Sequence, residues 1–426
     1  MASVSEIASR ARLLIGSDRT LPTAMLVFLA SAFVLAPAPI WGLTFYLGVL
    51  PAAILRAWRG PPPEWRNFYV IIIGLIIVWS ALTLIWGENP GHERVPKFLF
   101  GALWTAIFIA ALMTTLREYE TSARNIGTAL IVAGAANAAL SIALYLHKIP
   151  PDWRLVGWAE TRHSILGALV IGVCCLFALD RAFREPEHRR LCIVAAALCL
   201  GFILLSGSRG PIIAIAVATL ILTRGVSVRT GLKFAGGVFG LIALLAILAF
   251  LFQPTLSQEI LHRYLDRPSY RLDIWAYTLS RIAEKPWFGH GLAAYLGMEQ
   301  GNFTFPHNIF LSTLFYSGIV GLALLLALLG ACLIGVVRNW RRPTAPLLLA
   351  LLTLATIGGL TDLGQLTPGP APLWIILWLP IGFICAALTQ KPSAPADLWR
   401  DGGEAEMQDL AQPSRRPPPL DIPTAS

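Results

Sequence analysis

Charged residues in this chain fall almost entirely between apolar stretches, and the strongest stretches, AMLVFLASAFVL, FYVIIIGLIIVWSALTLIW and GLIALLAILAFLF, run nearly without interruption. A bilayer core takes about 20 predominantly apolar residues per helical span. The pattern predicts twelve spans, over 21–37, 39–57, 68–86, 96–116, 125–146, 163–182, 191–206, 210–223, 231–252, 307–337, 344–361 and 370–389. Spans seven and eight are short and separated only by SGSRG, so they make a tight turn or dip into the membrane as a broken pair. The expected fold is an all-α polytopic membrane protein of about twelve transmembrane helices. Its parts are an N-terminal segment 1–20, helices one to nine within 21–252, a large partly helical loop 253–306, helices ten to twelve within 307–389, and a disordered tail 390–426.

Composition sharpens this picture. With 56% hydrophobic and 13% charged residues, against about 25% charged in ordinary soluble domains, a single soluble core is excluded. The six cysteines all fall inside apolar spans and follow no CxxC or Cys/His spacing, so neither a disulfide framework nor a zinc site is expected. The polar start carries Arg10, Arg12 and Arg19 and leads into a span without a small-residue cleavage pattern, which reads as a permanent anchor.

Counting Lys and Arg on alternate faces orients the chain, because basic residues near short loops stay in the cytoplasm. The face holding both termini carries 22 of them and the opposite face 11, and these make up all 33. No basic residue is left in mid-membrane, where a charge costs at least about 2.5 kcal/mol. Both termini are therefore expected in the cytoplasm. The net charge of +9 follows from this topology and from contact with anionic lipid, and no nucleic-acid partner is expected.

The outer face is where chemistry is expected. Its loop is too long for a simple connection and holds two predicted helices, LSQEILHRYL and RLDIWAYTLSRIAEK, the second with Leu272, Trp275, Leu279 and Ile282 as an apolar stripe. PWFGHG stops it. Then comes FPHNIFLSTLFYSGIVG, which puts His307 at or next to the N-terminus of span ten. The partial positive charge of a helix N-terminus disfavours imidazolium, so this histidine is expected neutral, the form a general base requires. Span ten is about 46 Å long at 1.5 Å per residue against a core of about 30 Å. It must tilt, bend or project, and Gly318 and Gly321 are the expected points of bending or close packing. Arg162 and His163 before span six, Arg209 in the SGSRGP turn, and Arg271 opening the second loop helix share this face. Several guanidinium groups converging on one place suit an anion such as a diphosphate. Taken singly, an arginine at a span end ordinarily contacts lipid head groups, and a lone histidine there ordinarily caps or packs.

His307 and Asn308, then nine residues and the GxxG of Gly318 and Gly321, together with SGSRG at 206–210 and SYRLDIW at 269–275 before PWFGHG, resemble the O-antigen ligase family. That family includes related O-antigen polymerases and bacterial O-oligosaccharyltransferases. The resemblance covers about residues 155–390 and implies a GT-C-like glycosyltransferase of the bacterial inner membrane with a periplasmic active site. It implies transfer of a glycan from undecaprenyl diphosphate to a sugar hydroxyl of lipid A-core, completing lipopolysaccharide. His307 matches the motif histidine expected to act as base or to orient the acceptor. Arg209 and Arg271 match arginines expected to hold the diphosphate, and Arg162 is a weaker match. Asn308, Gly318, Gly321 and His163 are supporting residues.

A diphosphate leaving group needs its developing charge stabilised by a metal or by fixed cations. The chain has no DxD pair, and its outer acids, Asp152, Glu160, Asp266, Asp273 and Asp362, are scattered without ligand spacing. The expected site is therefore metal-independent and without cofactor, with His307 deprotonating the acceptor in a single inverting displacement. A retaining route needs a carboxylate nucleophile, for which Asp273 is the candidate. A polymerase or a protein O-oligosaccharyltransferase shares this donor chemistry. A lipid or polysaccharide transporter is the distant alternative, against which stands the absence of internal repeats and of ionisable residues within the predicted spans.

Overall fold

The computed structural model describes residues 19–36, 38–60, 67–88, 94–119, 121–150, 153–224, 270–298, 303–389 and Trp399. Its helices follow the apolar pattern: α1 (Thr20–Ser31), α2 (Ala38–Thr44, continued through a π-helical turn at Phe45–Val49 into Leu50–Ala57), α3 (Phe68–Trp86), α4 (Arg94–Glu118) and α5 (Ser122–His147). After a short turn at Ala159–Thr161 come α6 (Ser164–Arg184), α7 (Arg189–Leu205) and α8 (Arg209–Thr223). The loop helix α9 (Arg271–Glu284) precedes α10 (Ile309–Arg338), α11 (Ala345–Asp362) and α12 (a π-helical turn at Trp374–Trp378 followed by Leu379–Thr389). The chain is an all-α polytopic membrane protein, with seven helices among the described residues long and apolar enough to cross a bilayer. Predicted span nine and the first predicted loop helix lie outside the described residues.

Helix ends follow local chemistry. Asn67 caps α3 by accepting the Tyr69 N–H at 3.0 Å, and Gly87 ends it. Span one stops short of its expected end because the backbone beyond Ser31 is taken by other elements. Ala32 O accepts from Glu160 N at 3.1 Å, and Phe33 O accepts from Asn137 Nδ2 at 2.7 Å. Spans seven and eight are joined by the tight turn rather than interrupted.

The core sits around α6, which is buried on all sides. Its neighbours are α5, α7, α8 and α11. Within lipid, apolar burial does not drive helices together, so close packing at small residues does. Glycines make the approaches: Gly172 faces Leu354, Gly358 faces Leu169, Gly359 faces Ile309 and Gly210 faces Thr361. The last two draw the ends of α8, α10 and α11 to one place. Large apolar side chains such as Leu47, Ile85, Leu191 and Leu220 point outward. All six cysteines are buried and free.

The long α10 is broken rather than merely tilted. Gly318 has φ 65° and ψ −168°, which interrupts the helical hydrogen bonds inside an apolar segment. The PWFGHG segment replaces them: His290 N–H donates to Phe315 O (2.8 Å), Gly291 N–H to Tyr316 O (2.9 Å), and Ile319 N–H to Pro286 O (2.9 Å). Trp79 Nε1 takes the fourth group, Ser317 O, at 2.9 Å. Each such group left unpaired when buried costs about 1–3 kcal/mol.

Of the tail, expected to be disordered over 390–426, Trp399 alone lies among the described residues. Its indole is buried in the core, donates to Asp180 Oδ2 at 2.8 Å, lies under the Arg181 guanidinium at 4.9 Å and packs on Gly127.

A Cβ at Gly318 would sit 2.1 Å from the Trp287 carbonyl oxygen, in a backbone conformation side chains rarely adopt, whereas one at Gly74 in α3 meets nothing within 4 Å. Gly318→Ala is expected to lower stability by at least about 2 kcal/mol, read as a fall in the thermal midpoint in detergent, with Gly74→Ala unchanged or slightly stabilised.

Candidate active site

Asn308 builds the start of α10. Its Oδ1 accepts the N–H groups of Phe310 (2.9 Å) and Leu311 (3.2 Å), so the helix begins at Ile309, and Pro306 lies before the cap rather than in the first turn. His307 is thrown into the left-handed region, φ 53°. For a residue with a Cβ this is strained by roughly 1–3 kcal/mol, and such strain gathers at functional sites.

The imidazole is held on three sides. Nδ1 is hydrogen-bonded to Asp362 Oδ1, the Phe305 ring lies on it with centroids 4.0 Å apart, and Phe303 meets it edge-on at 6.2 Å. Asp362, the last residue of α11, is buried. A carboxylate accepts only, so His307 donates through Nδ1–H, and the lone pair is left on Nε2. Asp362 Oδ2 has no hydrogen-bond partner among the described residues. His163 Nδ1 lies 3.7 Å from it but accepts the Leu166 N–H at 3.2 Å, capping α6.

Asp362 was legible only as one scattered acid. The signal that marks it is position, a carboxylate closing an 18-residue apolar helix, since ionisable residues in such places pair and function.

The arginines stand at the same end of the bundle. Arg209 is the first residue of α8, exposed, and its neighbour Gly210 packs so tightly on Thr361 that a Cβ there would come within 2.5 Å of Thr361 Oγ1. The SGSRG turn is locked by a residue given no role beforehand. Arg154 donates from Nε to Ser206 O (2.9 Å) and from a terminal nitrogen to Ser208 Oγ (2.7 Å), and Ser208 Oγ donates to Ser164 O (3.0 Å). Arg162 is exposed just before the His163 cap. Beside it Glu160 is buried, so burial pushes its carboxyl upward while the Arg162 charge pulls it back. Arg271 opens α9, and its neighbour Tyr270 reaches His307 through Phe303, with ring centroids 6.1 Å apart. Asp273 is exposed in the first turn of α9. Gly318 makes the break in α10, and Gly321 packs one turn on, facing Ser317 and Trp79.

The stripe expected on α9 is corrected. Ile274, Thr278 and Ile282 are buried against Phe315 and Tyr316 of α10, while Leu272 and Leu279 are exposed. A cluster of charges fixes this docking. Glu88, just past α3, accepts from Lys285 Nζ (3.0 Å), from Arg281 (3.0 Å) and from His290 Nδ1 (3.0 Å), and the His290 Nε2 meets the Arg281 carbonyl at 2.6 Å. His290 stacks on Phe315. Burial works to raise the Glu88 carboxyl, but the hydrogen bonds from His290 and Lys285, with their charges, hold it down at about 2.

Residues 193–326 match the O-Antigen ligase family model. Over 380 residues the chain is 26% identical to an O-antigen ligase of Pseudomonas aeruginosa, covering 87% of each. The chain is thus similar to O-antigen ligases, over a range that includes the motifs noted above. The matched range holds Arg209, Arg271 and His307, and stops short of Asp362.

Because the folded Glu88 titrates near 2 and the ordinary value is 4.5, its contribution is full above pH 4.5 and lost as pH falls towards 2. Protection of the α9 amides relative to their intrinsic exchange rates is expected to fall over that window, and Glu88→Gln is expected to remove that fall.

Proposed function

We propose that this chain, similar to O-antigen ligases over residues 193–326, transfers a glycan from undecaprenyl diphosphate to a sugar hydroxyl of lipid A-core at the periplasmic face of the bacterial inner membrane. The observation that carries this reading is the His307–Asp362 pair. Its buried carboxylate orients the ring and leaves Nε2 as a base at the end of the bundle where Arg162, Arg209 and Arg271 also lie.

The reaction is one displacement. Nε2 of His307 takes the proton of the acceptor hydroxyl, the oxygen bonds to the anomeric carbon, and the bond from that carbon to the diphosphate oxygen breaks with inversion. Asp362 stabilises the imidazolium as it forms, as a carboxylate does behind any catalytic histidine. The arginines hold the diphosphate and meet the charge that develops on it. Asp362 is engaged with His307, which argues against its serving as a covalent nucleophile. A metal-free course is supported by how the two histidines are used, since His163 Nδ1 caps α6 and His307 Nδ1 is taken by Asp362. Polymerisation or protein glycosylation would proceed through the same donor steps, and the acceptor distinguishes them.

The test uses purified protein, lipid-diphosphate glycan and, separately, lipid A-core and peptide acceptors. Transfer to lipid A-core is expected, and transfer to peptide alone would overturn the assignment. His307→Ala is expected to abolish transfer while the protein stays folded. Asp362→Asn is expected to lower kcat by about 10²- to 10⁴-fold with donor KM little changed. Arg209→Lys, which keeps the charge but loses the planar fork, is expected to be severely impaired. Activity is expected to survive excess EDTA, and a loss restored by magnesium would refute the metal-free course.

A further inference from the structure

The structure assigns a second, unfilled place at this end of the bundle. A cavity of about 360 Å³ lies among the first turn of α4, the two strands of chain that meet at the Met298–Phe303 bridge, and the connection that follows α11. Asp362 and Phe305 both form part of its wall, and these are the two residues that hold the His307 ring. The cavity and the base therefore share a partition.

Its lining says what it takes. None of Arg162, Arg209 or Arg271 contributes to it, and among the described residues the one cation in its wall is Lys97, exposed at the start of α4. A diphosphate placed here would meet one lysine and the carboxylate of Asp362, a poor site for an anion carrying several charges. Its wall includes the rings of Phe98, Tyr295 and Phe305, and the amide of Gln365, pinned by its bond to Leu292 O at 2.7 Å. Rings and a fixed amide suit a sugar, whose C–H faces lie on aromatic groups and whose hydroxyls need donors and acceptors at set positions. A further observation points the same way. Asp362, part of the cavity wall, is buried with one oxygen that has no hydrogen-bond partner among the described residues, a costly condition.

We infer that this cavity is the subsite for the sugar end of the acceptor, with Tyr295 and Lys97 as residues that set acceptor preference. The inference rests on the transfer reaction proposed above and adds which substrate lies where. In a single displacement the attacking oxygen approaches opposite the leaving group. The diphosphate belongs with Arg162, Arg209 and Arg271, so the hydroxyl comes from the side that none of these three lines, past the partition shared with His307.

The experiment is steady-state kinetics on the full-length protein in nanodiscs, varying lipid-diphosphate glycan and lipid A-core independently. Tyr295→Ala and Lys97→Met change side chains at exposed positions and leave the core untouched. For each, the KM for lipid A-core is expected to rise about tenfold, equivalent to 1.4 kcal/mol, with the donor KM within about twofold. As a readout independent of turnover, delipidated core oligosaccharide is expected to protect Tyr295 from chemical modification in the inactive His307→Ala protein. A rise in donor KM alone, no change in either KM, or no protection would overturn the assignment of the cavity while leaving the transfer reaction intact. A wild-type protein that transfers nothing to lipid A-core would overturn both.

Discussion

A backbone carbonyl inside an apolar bundle has no water to fall back on, and the break in α10 creates several such groups at once. The consequence of that constraint is visible in the chain that answers it. Residues 286–291 run alongside the break and supply the N–H groups that the continued helix would have supplied. The match leaves no room for side chains. A Cβ at Gly289 would come within 2.6 Å of the Gly318 nitrogen, and one at Gly291 within 2.3 Å of the Gly87 Cα. The loop is thereby built into the bundle by main-chain bonds, the charged cluster at Glu88 fastens it further, and the short segment from Ile309 to Ser317 is held apart from the rest of α10. His307 sits at the head of that segment, so its position depends on the loop as much as on its own helix.

The site combines two electrostatic regimes. Asp362 and His307 face each other where the carboxylate is buried, and a buried carboxylate is tolerated only when paired. The arginines lie where they are exposed or partly so, each at or just before the first turn of a helix, where backbone N–H groups add to their attraction for anions. A single end of the bundle therefore pairs a half-buried imidazole and its buried carboxylate with a rim of arginines, a division that suits the proposed deprotonation of one substrate while the charge of another is held.

Much of the architecture was legible because apolar length and end signals agree. Span three was expected over 68–86 and is found there, marked by Asn67 and Gly87. The placing of Arg162, Arg209 and His307 on one face followed from counting spans, without any knowledge of contacts. Other features turned on partners distant in the chain. Asp362 meets His307 across 55 positions, and no spacing rule reaches that far. Span one ends early because Asn137 and Glu160 claim the carbonyls beyond it. The loop helix carries apolar residues on more than one side, and only the position of Phe315 and Tyr316 decides that Ile274 and Ile282 turn inward while Leu272 and Leu279 stay outside. Thr278 joins the buried side because its hydroxyl is satisfied by Ile274 O at 2.7 Å.

The indole of Trp399 gives the far end of the bundle a finish that polypeptide order alone does not suggest. Asp180 has one oxygen met by Arg184 and the other by this indole, so a chain cut off after Thr389 would leave a buried carboxylate half-answered and a hole against Gly127. The ten residues from Thr389 to Trp399 reach at most about 35 Å, which keeps the exit of α12 on a short leash to α6. That helix carries Asp180 near one terminus and the His163 cap at the other. The Trp399 side chain is in this sense a keystone set from below, and the same rod that receives it ends among the groups proposed to do the chemistry.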